Sequence, residues 1–222
     1  MQQDVIFHGI AAPLRLTGAE TILPVLQEVA FGWPCRTDAT DPQAAPFFSI
    51  AASAEDALFT CESHVQGTAP RRFDAVNAIC DAMVGLALAL PAEHPDIICL
   101  HAAAVAIGGR LVVFPNVQRA GKCTLSAALA QAGHALFSDD VVPLSFAPDG
   151  SARGHAMGIA PRLRLPLPEA LGQGFRDWAE GVGGPRNRQY LYLTLPTQPP
   201  RGAVLPLGAF VILDRKDTPV DA

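Results

Sequence analysis

Residues 115–124, PNVQRAGKCT, are the segment that most constrains how this chain can fold. They follow an apolar run, LVVF, and they lead into a stretch from Thr124 to Ala132 whose apolar residues have helical spacing. A loop between a strand and a helix points successive backbone N–H groups into one concave site, where phosphate oxygens can bind. The order strand, loop, helix therefore predicts a phosphate-binding loop within an α/β fold.

The loop departs from the usual phosphate-loop pattern, G-x-x-x-x-G-K-[ST], at two positions. Asn116 stands at the first glycine, and Cys123 stands where a hydroxyl follows the lysine. Asparagine enters left-handed backbone conformations more readily than most residues, so it can replace the glycine. Cys123 fits less well, because Mg²⁺ prefers oxygen ligands to a soft thiol, and Thr124 comes one position late. The alternative interpretation is a chance Ala-Gly-Lys sequence in a surface turn.

Composition argues against several classes of function. Among the 222 residues, 16 are basic and 21 acidic, and the net charge is −5. The basic residues form no cluster, so a nucleic-acid partner has no electrostatic support. The five cysteines include no C-x-x-C pair, which favours reduced thiols in a cytoplasm over a zinc site. The N-terminus does not resemble a signal peptide, and no stretch approaches the roughly 20 apolar residues of a membrane span. We therefore expect a cytoplasmic protein.

The first 70 residues are predicted to form a small α/β accessory domain. The runs DVIFHGI, PFFSIAAS and ALFTCES have the character of strands. Residues Thr17 to Val29 have helical spacing, with Thr17 as the expected N-cap. Residues 36–46 are expected to form an exposed loop. The ligand or partner of this domain is left open.

Residues 71–222 are predicted to form the larger domain. A helix is expected from Phe73 to Leu90, ended by Pro91. The runs IICLHAAAVAI and LVVF flank Gly108-Gly109 and predict a hairpin that enters the phosphate loop directly. Two further strands are predicted in HALFSDD and VVPLSFA. Residues 158–208 are expected to form loops with short strands, followed by the strand AFVILDR.

Three of these elements together resemble a known family. His101, Gly121-Lys122 and Ser138-Asp139-Asp140 occur in the order and at the approximate spacing found in HPr kinase/phosphorylase and the related HPr-kinase-like serine kinases. The resemblance covers residues 97–145 closely and 73–213 loosely. It implies an HPr-kinase/PEP-carboxykinase-like P-loop domain, in which a hairpin leads into the phosphate loop.

The resemblance also implies roles for individual residues. Asp139 would be the general base that takes the proton of an acceptor hydroxyl, and Asp140 would help to hold Mg²⁺, although the two roles could be exchanged. His101 would lie beside the transferred phosphate, and Lys122 would neutralise its charge. The nucleotide, ATP, would be bound by the loop residues Asn116, Val117, Gln118, Arg119, Ala120, Gly121, Lys122, Cys123 and Thr124.

Two departures from the family limit what the resemblance implies. The segment GHAMGIAPRLRLPLP, where the family has a glutamate, contains no acid. The chain also ends at Ala222, where such kinases continue into C-terminal helices, so a fragment is an open alternative and HPr itself is in doubt as the acceptor. Family members often form rings, which makes a homo-oligomer one expectation.

The sequence leaves three functions open. The leading hypothesis is an ATP-dependent phosphotransferase acting on a Ser/Thr hydroxyl of a peptide, small protein or small molecule. The second is a nucleotide-binding module without catalysis, and the third is a fold kept for structure alone. Arg162, Arg164, Arg186 and Arg188 lie where a phosphate or substrate clamp could form, but solvated loop charges explain them equally well.

Overall fold

The computed structural model describes residues 1–115 and 120–214. Its N-terminal part is a mixed six-stranded sheet in the order β3-β1-β2-β4-β5-β6. The strands β2 and β4 are parallel, and the other neighbours in this sheet are antiparallel. The strands are β1 (Gln2–Phe7), β2 (Leu14–Thr17), β3 (Cys35–Ala39), β4 (Phe48–Ala52), β5 (Phe59–Ser63) and β6 (Arg71–Phe73).

Two helices contribute to the apolar core of this sheet. A 3₁₀ turn (Glu20–Ile22) leads into α1 (Leu23–Val29), and the long helix α2 spans Ala75–Glu93. Alternate residues of β1, β2 and β4 point inward, and they share one apolar cluster with nine buried residues of α2. The Asp74 side chain caps α2 by accepting a hydrogen bond from the backbone N–H of Asn77 at 2.9 Å.

Helix α2 is also long and apolar enough to cross a membrane, judged by length and composition alone. This is weak support for a span, since a core helix meets the same criterion and 56% of its most apolar window is buried within the fold. The sequence expectation that no stretch approaches a membrane span is corrected to this extent. A cytoplasmic location remains a prediction.

A five-stranded barrel forms the centre of the second part of the chain. Its strands are β7 (Ile97–Ile107), β8 (Arg110–Pro115), β10 (Val141–Phe146), β11 (Ala152–His155) and β15 (Val204–Phe210). They pair in the closed order β7-β8-β15-β11-β10-β7, and β9 (Ala135–Ser138) pairs with β7 beyond the stretch that pairs with β10. Closure is possible because β7 is long: its first half pairs with β10 and its second half with β8.

Helix α3 (Lys122–Gln131) follows β8 and packs against β7 and β9. A small antiparallel sheet lies beside it, formed by β12 (Arg162–Arg164), β13 (Gly183–Arg186) and β14 (Tyr190–Leu193). Helix α4 (Gln173–Gly181) connects β12 to β13. Leu163 and Leu191 of this sheet are buried in the same apolar cluster as Phe114 of β8 and Ala127 of α3.

A close backbone contact joins the N-terminal sheet to the segment before β12. The N–H of Gly32 donates to the carbonyl of Gly158 at 3.0 Å. Gly158 has a φ of +70°, and a Cβ atom there would lie 2.3 Å from the carbonyl oxygen of Gly32. Only glycine satisfies both conditions, and the contact fixes where the chain enters β12.

The mixed α/β class is confirmed, and so are the hairpin, α3 and the strands expected in residues 4–10, 46–53 and 57–63. Several boundaries and elements were predicted wrongly. Thr17 ends β2 and does not cap a helix, because the regular helix α1 begins only at Leu23. Residues 36–39 form an edge strand with exposed side chains, where a loop was expected.

Three further predictions in the second part were wrong. Pro91 lies inside α2 and does not end it, because the helix reaches Glu93 and Pro91 occupies its last turn. Helix α4 occurs where loops were expected. The strand expected in AFVILDR lies earlier, since β15 ends at Phe210. The division of the chain at residue 70 stays a prediction, although α2 and the N-terminal sheet share one core.

Candidate functional site

A cavity of about 700 Å³ lies at the N-terminal end of α3. Residues distant in sequence meet there, because α3, the turn between β9 and β10, strand β7 and the small sheet all face it. Its lining is formed by Val84, His101, Gly121, Lys122, Cys123, Thr124, Asp140, Val141, Arg162, Arg164, Leu165, Pro166, Pro168 and Tyr190. Its size is typical of pockets that bind a nucleotide-sized ligand.

The wall formed by α3 begins at Gly121. Gly121 is the N-cap and has a left-handed φ of +95°, which a residue with a side chain would adopt only with strain. Lys122 is the first residue of the helix and is only 5% exposed, yet it lines the cavity together with Cys123 and Thr124. The first N–H groups of a helix and a lysine together favour the binding of an anion.

The remaining predicted loop residues divide into two groups. Ala120 is described but does not line the cavity. Asn116, Val117, Gln118 and Arg119 lie outside the described residues. The described part of the loop therefore supplies Gly121 to Thr124 as cavity-lining residues.

His101 and Asp140 form a pair at the edge of the cavity. The ring Nε2 of His101 lies 3.2 Å from Oδ1 of Asp140, and Nη2 of Arg162 lies 2.9 Å from Oδ2. The pairing of β7 with β10 produces this arrangement, since His101 is directly opposite Val141 and the N–H of Ala102 donates to the carbonyl of Asp140. Both oxygens of the Asp140 carboxylate are therefore held by cationic or potentially cationic groups.

Asp139 lies in a different environment from its neighbour. It is only 6% exposed, it does not line the large cavity, and its Oδ2 accepts a hydrogen bond from the backbone N–H of Arg162 at 2.9 Å. Burial raises the pKa of Asp139 to about 6, and the Asp140 charge adds to the rise while Arg162 opposes it. The carboxyl group therefore contacts the backbone of Arg162, which lines the cavity, and does not line the cavity itself.

The Cys123 thiol is neutral in this environment. Its S–H donates to the carbonyl oxygen of Asp139 at 3.5 Å. Burial, with a contribution from the Asp139 charge, raises the pKa of Cys123 to about 12. A protonated thiol is a poor ligand for Mg²⁺.

The described residues do not supply a complete set of protein ligands for Mg²⁺. They contain no group of three His, Cys, Asp or Glu side chains arranged for a metal ion. Asp140 is the one carboxylate that lines the cavity in this part of the chain, and its two oxygens already contact His101 and Arg162.

The wall opposite α3 is formed by the small sheet. Leu163 points into the core, so Arg162 and Arg164, on either side of it, both face the cavity. Their guanidinium carbons lie 5.2 and 5.4 Å from the centre of the Tyr190 ring. Arg186 does not line this cavity and pairs instead with Glu180 at 2.7 Å.

Most of the residues that line the cavity were already candidates from the sequence, but not all of them were. The structure brings His101, Lys122 and Asp140 to one cavity and puts Asp139 behind it. Tyr190 was missed as a lining residue, although the alternation in QYLYLTL puts it on one face of a strand. Arg188 does not line the cavity.

Comparison with known proteins adds no identification. No protein-family model matches the chain, and no curated protein is significantly similar to it in sequence.

Proposed function

We propose that the cavity binds ATP and that the chain is a phosphotransferase acting on a hydroxyl group. The observation that carries the proposal is the convergence of His101, Lys122 and Asp140 on a single cavity at the N-terminal end of α3. Lys122 and the helix N-terminus provide positive charge for the phosphates, and phosphoryl transfer depends mainly on such positioning and charge neutralisation. A binding site for phosphate alone would have no use for a histidine–carboxylate pair.

The pair supplies a proton acceptor for the incoming hydroxyl. Nε2 of His101 lies 3.2 Å from the Asp140 carboxylate, which leaves Nδ1 as the ring nitrogen that can take the proton, and the side chain of His101 is 49% exposed. The acceptor oxygen bonds to the γ-phosphorus as the bond to the β–γ bridging oxygen breaks, ADP leaves, and the hydroxyl proton passes to His101. This gives the base role to His101, oriented by Asp140, in place of Asp139.

The resemblance to HPr-kinase-like serine kinases supports the same proposal. It suggests a P-loop domain of that family with an altered loop, and a peptide, small-protein or small-molecule hydroxyl as acceptor in a cytoplasmic setting. It also suggests a homo-oligomer. Since the described residues do not form a metal site, any Mg²⁺ dependence belongs to the nucleotide complex, and no step is assigned to the ion.

A second candidate, a nucleotide-binding module without catalysis, is favoured by two observations. Arg162 neutralises the carboxylate that lines the cavity, and Cys123 replaces the hydroxyl that would contact the metal. Such a site would bind nucleotide independently of Mg²⁺ and would transfer nothing.

The first experiment is calorimetric titration with ATP, with and without Mg²⁺, of the wild type and Lys122→Met. Methionine keeps the length of the buried side chain and removes its charge, and Arg110→Gln, an exposed position on β8, is the matched control. We expect binding that is lost in Lys122→Met and kept in Arg110→Gln. If the folded wild type does not bind ATP, both candidate functions are contradicted.

Transfer is tested next with γ-labelled ATP and a panel of hydroxyl compounds and Ser/Thr-containing peptides. Labelled product that disappears in His101→Asn, with ATP affinity retained, supports the phosphotransferase. Binding without transfer, both in the wild type and in Cys123→Ser, supports the module. Transfer that persists in His101→Asn would remove histidine as the base.

A further inference from the structure

The small sheet carries a cation that the proposed transfer reaction does not use. Arg162 and Arg164 both line the cavity, but Arg162 is committed to Asp140 at 2.9 Å. Within the described part of the chain, the hydrogen bond and the ring contact of the exposed Arg164 side chain are both with Tyr190: Nη2 donates to the phenol oxygen at 3.4 Å. No carboxylate of the described residues pairs with this guanidinium.

Tyr190 completes a set of donors beside Arg164. Its phenol oxygen accepts from Nη2 of Arg164 and from Nε2 of Gln189, the latter at 3.1 Å. A tyrosine hydroxyl has two acceptor positions and one donor, so its own hydrogen remains for a further acceptor. No acceptor for it occurs among residues 1–115 and 120–214.

The backbone around Tyr190 is held firmly. The N–H of Tyr190 donates to the side-chain oxygen of Asn187 at 2.8 Å, and Nδ2 of Asn187 donates to both carboxylate oxygens of Asp74. Asp74 is the residue that caps α2, so the turn before β14 is fixed to the start of the longest helix. Preorganised donors bind an anion more strongly than donors that must first be ordered.

The surroundings of this donor set favour an anion as well. Leu165, Pro166 and Pro168 line the cavity next to Arg164 and form its apolar wall. Three cations but only one carboxylate line the cavity within the described residues, and that carboxylate is paired. Arg164 lies on the sheet, whereas the nucleotide phosphates are assigned to the helix end at Lys122.

We propose that Arg164 and Tyr190 form a second anion subsite that holds a carboxylate or phosphate group of the hydroxyl-bearing acceptor. This inference rests on the proposed function, because it names the chemical class of the second substrate of the same cavity. The acceptor is an anion, and the guanidinium and the phenol hydroxyl bind its charged group while its hydroxyl faces His101. Neutral alcohols would lack this anchor.

The test is titration of the ADP-loaded protein with three probes. L-lactate supplies a carboxylate next to a hydroxyl, lactamide is its uncharged control, and inorganic phosphate tests the other anion. We expect lactate or phosphate to bind and lactamide to bind much more weakly. The stronger of the two anions shows which class of charged group the subsite takes.

Variants assign the binding to the subsite. Arg164→Gln is expected to weaken anion binding about tenfold or more, the usual effect of removing a hydrogen bond to a charged group. It should change ADP affinity less than twofold, and Arg164→Lys should retain part of the anion binding because it retains the charge. Arg110→Gln is the matched control, and a thermal melt checks that each variant is folded.

Three results would overturn the proposal: no anion binding by the ADP-loaded wild type, equal binding by Arg164→Gln, or an equal loss of ADP and anion affinity in that variant. The last result would place Arg164 in the nucleotide site. If ADP does not bind at all, the same titrations are made on the ligand-free protein. Binding that depends on Arg164 then keeps the subsite and rejects the proposed nucleotide function separately.

Discussion

Two arginine–aspartate groupings in the described part of the chain are partly shielded from solvent, and they differ in whether all of their charged groups are paired within the protein. In the N-terminal sheet, Arg15 donates to both carboxylate oxygens of Asp4, at 2.9 and 3.0 Å. The same guanidinium also donates to the backbone carbonyls of Asp41 and Ala44, and the N–H of Asp41 donates back to Asp4. Every strong contact of this pair is made within the protein.

Beside the cavity, the same residue types form an open cluster. Arg162 pairs with Asp140, its backbone N–H contacts Asp139, and Asp140 also contacts His101, which is exposed to the cavity. A closed pair such as Asp4–Arg15 fixes a fold, whereas an open cluster on a cavity leaves charge for a ligand. The position of each grouping relative to a cavity, and not its residue types, separates a structural role from a functional one.

The largest effect is expected from breaking the closed pair. Asp4→Ala leaves Arg15 without its partner, and removing one member of a buried pair costs about 3–5 kcal/mol. The free energy of unfolding, measured with urea, should fall by that amount, while ATP affinity of the folded protein stays unchanged. The matched control is Asp38→Ala, which breaks the exposed Arg36–Asp38 pair and should cost under about 1 kcal/mol. Equal losses in the two variants would contradict the distinction.

The next effect is a pH dependence at Asp139. Its pKa is raised in the folded state to about 6 from an ordinary value of 3.8, so the folded state binds the proton more tightly. This carboxyl therefore lowers stability as pH rises through that window. Asp139→Asn removes the effect, and the stability of the variant relative to wild type should rise between pH 4 and pH 7 by up to about 3 kcal/mol.

The control for this experiment has the opposite sign. Hydrogen bonds from Ser151 lower the pKa of the exposed Asp149, so its contribution to stability is lost as pH falls. Asp149→Asn should therefore lose stability relative to wild type as pH rises toward about 4, and the difference should stay nearly constant from there to pH 7. If the stability difference between Asp139→Asn and wild type does not change with pH, the pKa of this carboxyl is not raised in the folded state.

These two groupings also show what sequence can and cannot predict. Elements that depend on residues close together in the sequence were predicted. They are the Gly108-Gly109 hairpin, the helix after Gly121 and the amphipathic strands. Helix α4 was missed because its segment is rich in glycine and charge, and only two of its side chains, Phe175 and Ala179, are buried. The edge strand β3 was missed because its side chains are all exposed, so it has no apolar alternation.

Long-range placement was the part that sequence could not supply. The barrel closes through β15, whose pairing with β8 and β11 involves residues far apart in the chain. Asp139 and Asp140 are adjacent, and only the pairing of β7 with β10 shows which of them faces the cavity. Arg162 and Arg164 were recognised as candidates, but their separate roles depend on which one meets Asp140.

A smaller effect, of opposite sign for binding and for transfer, is expected at Asp140. Asp140→Asn removes the negative charge among the cavity-lining residues described, so repulsion of ATP phosphates falls by about 1 kcal/mol at an intermediate dielectric. ATP measured without Mg²⁺ should bind about fivefold more tightly, while transfer is lost because His101 is no longer oriented. Asp149→Asn is the control. Weaker ATP binding by Asp140→Asn would show that this carboxylate attracts the nucleotide complex.

The smallest effect is expected at Cys123, which belongs to the cluster but carries no charge in it. Its thiol makes one weak hydrogen bond, to the Asp139 carbonyl at 3.5 Å, and a serine hydroxyl can make the same bond. Cys123→Ser should therefore change the free energy of unfolding by less than about 1 kcal/mol. Because the pKa of Cys123 is about 12, the wild-type thiol should also react slowly with a labelling reagent at pH 8, and the exposed Cys35 should react first in a mass-spectrometric time course. Rapid labelling of Cys123 would mean that the thiol is ionised, and the cluster would then contain a second anion that repels phosphate.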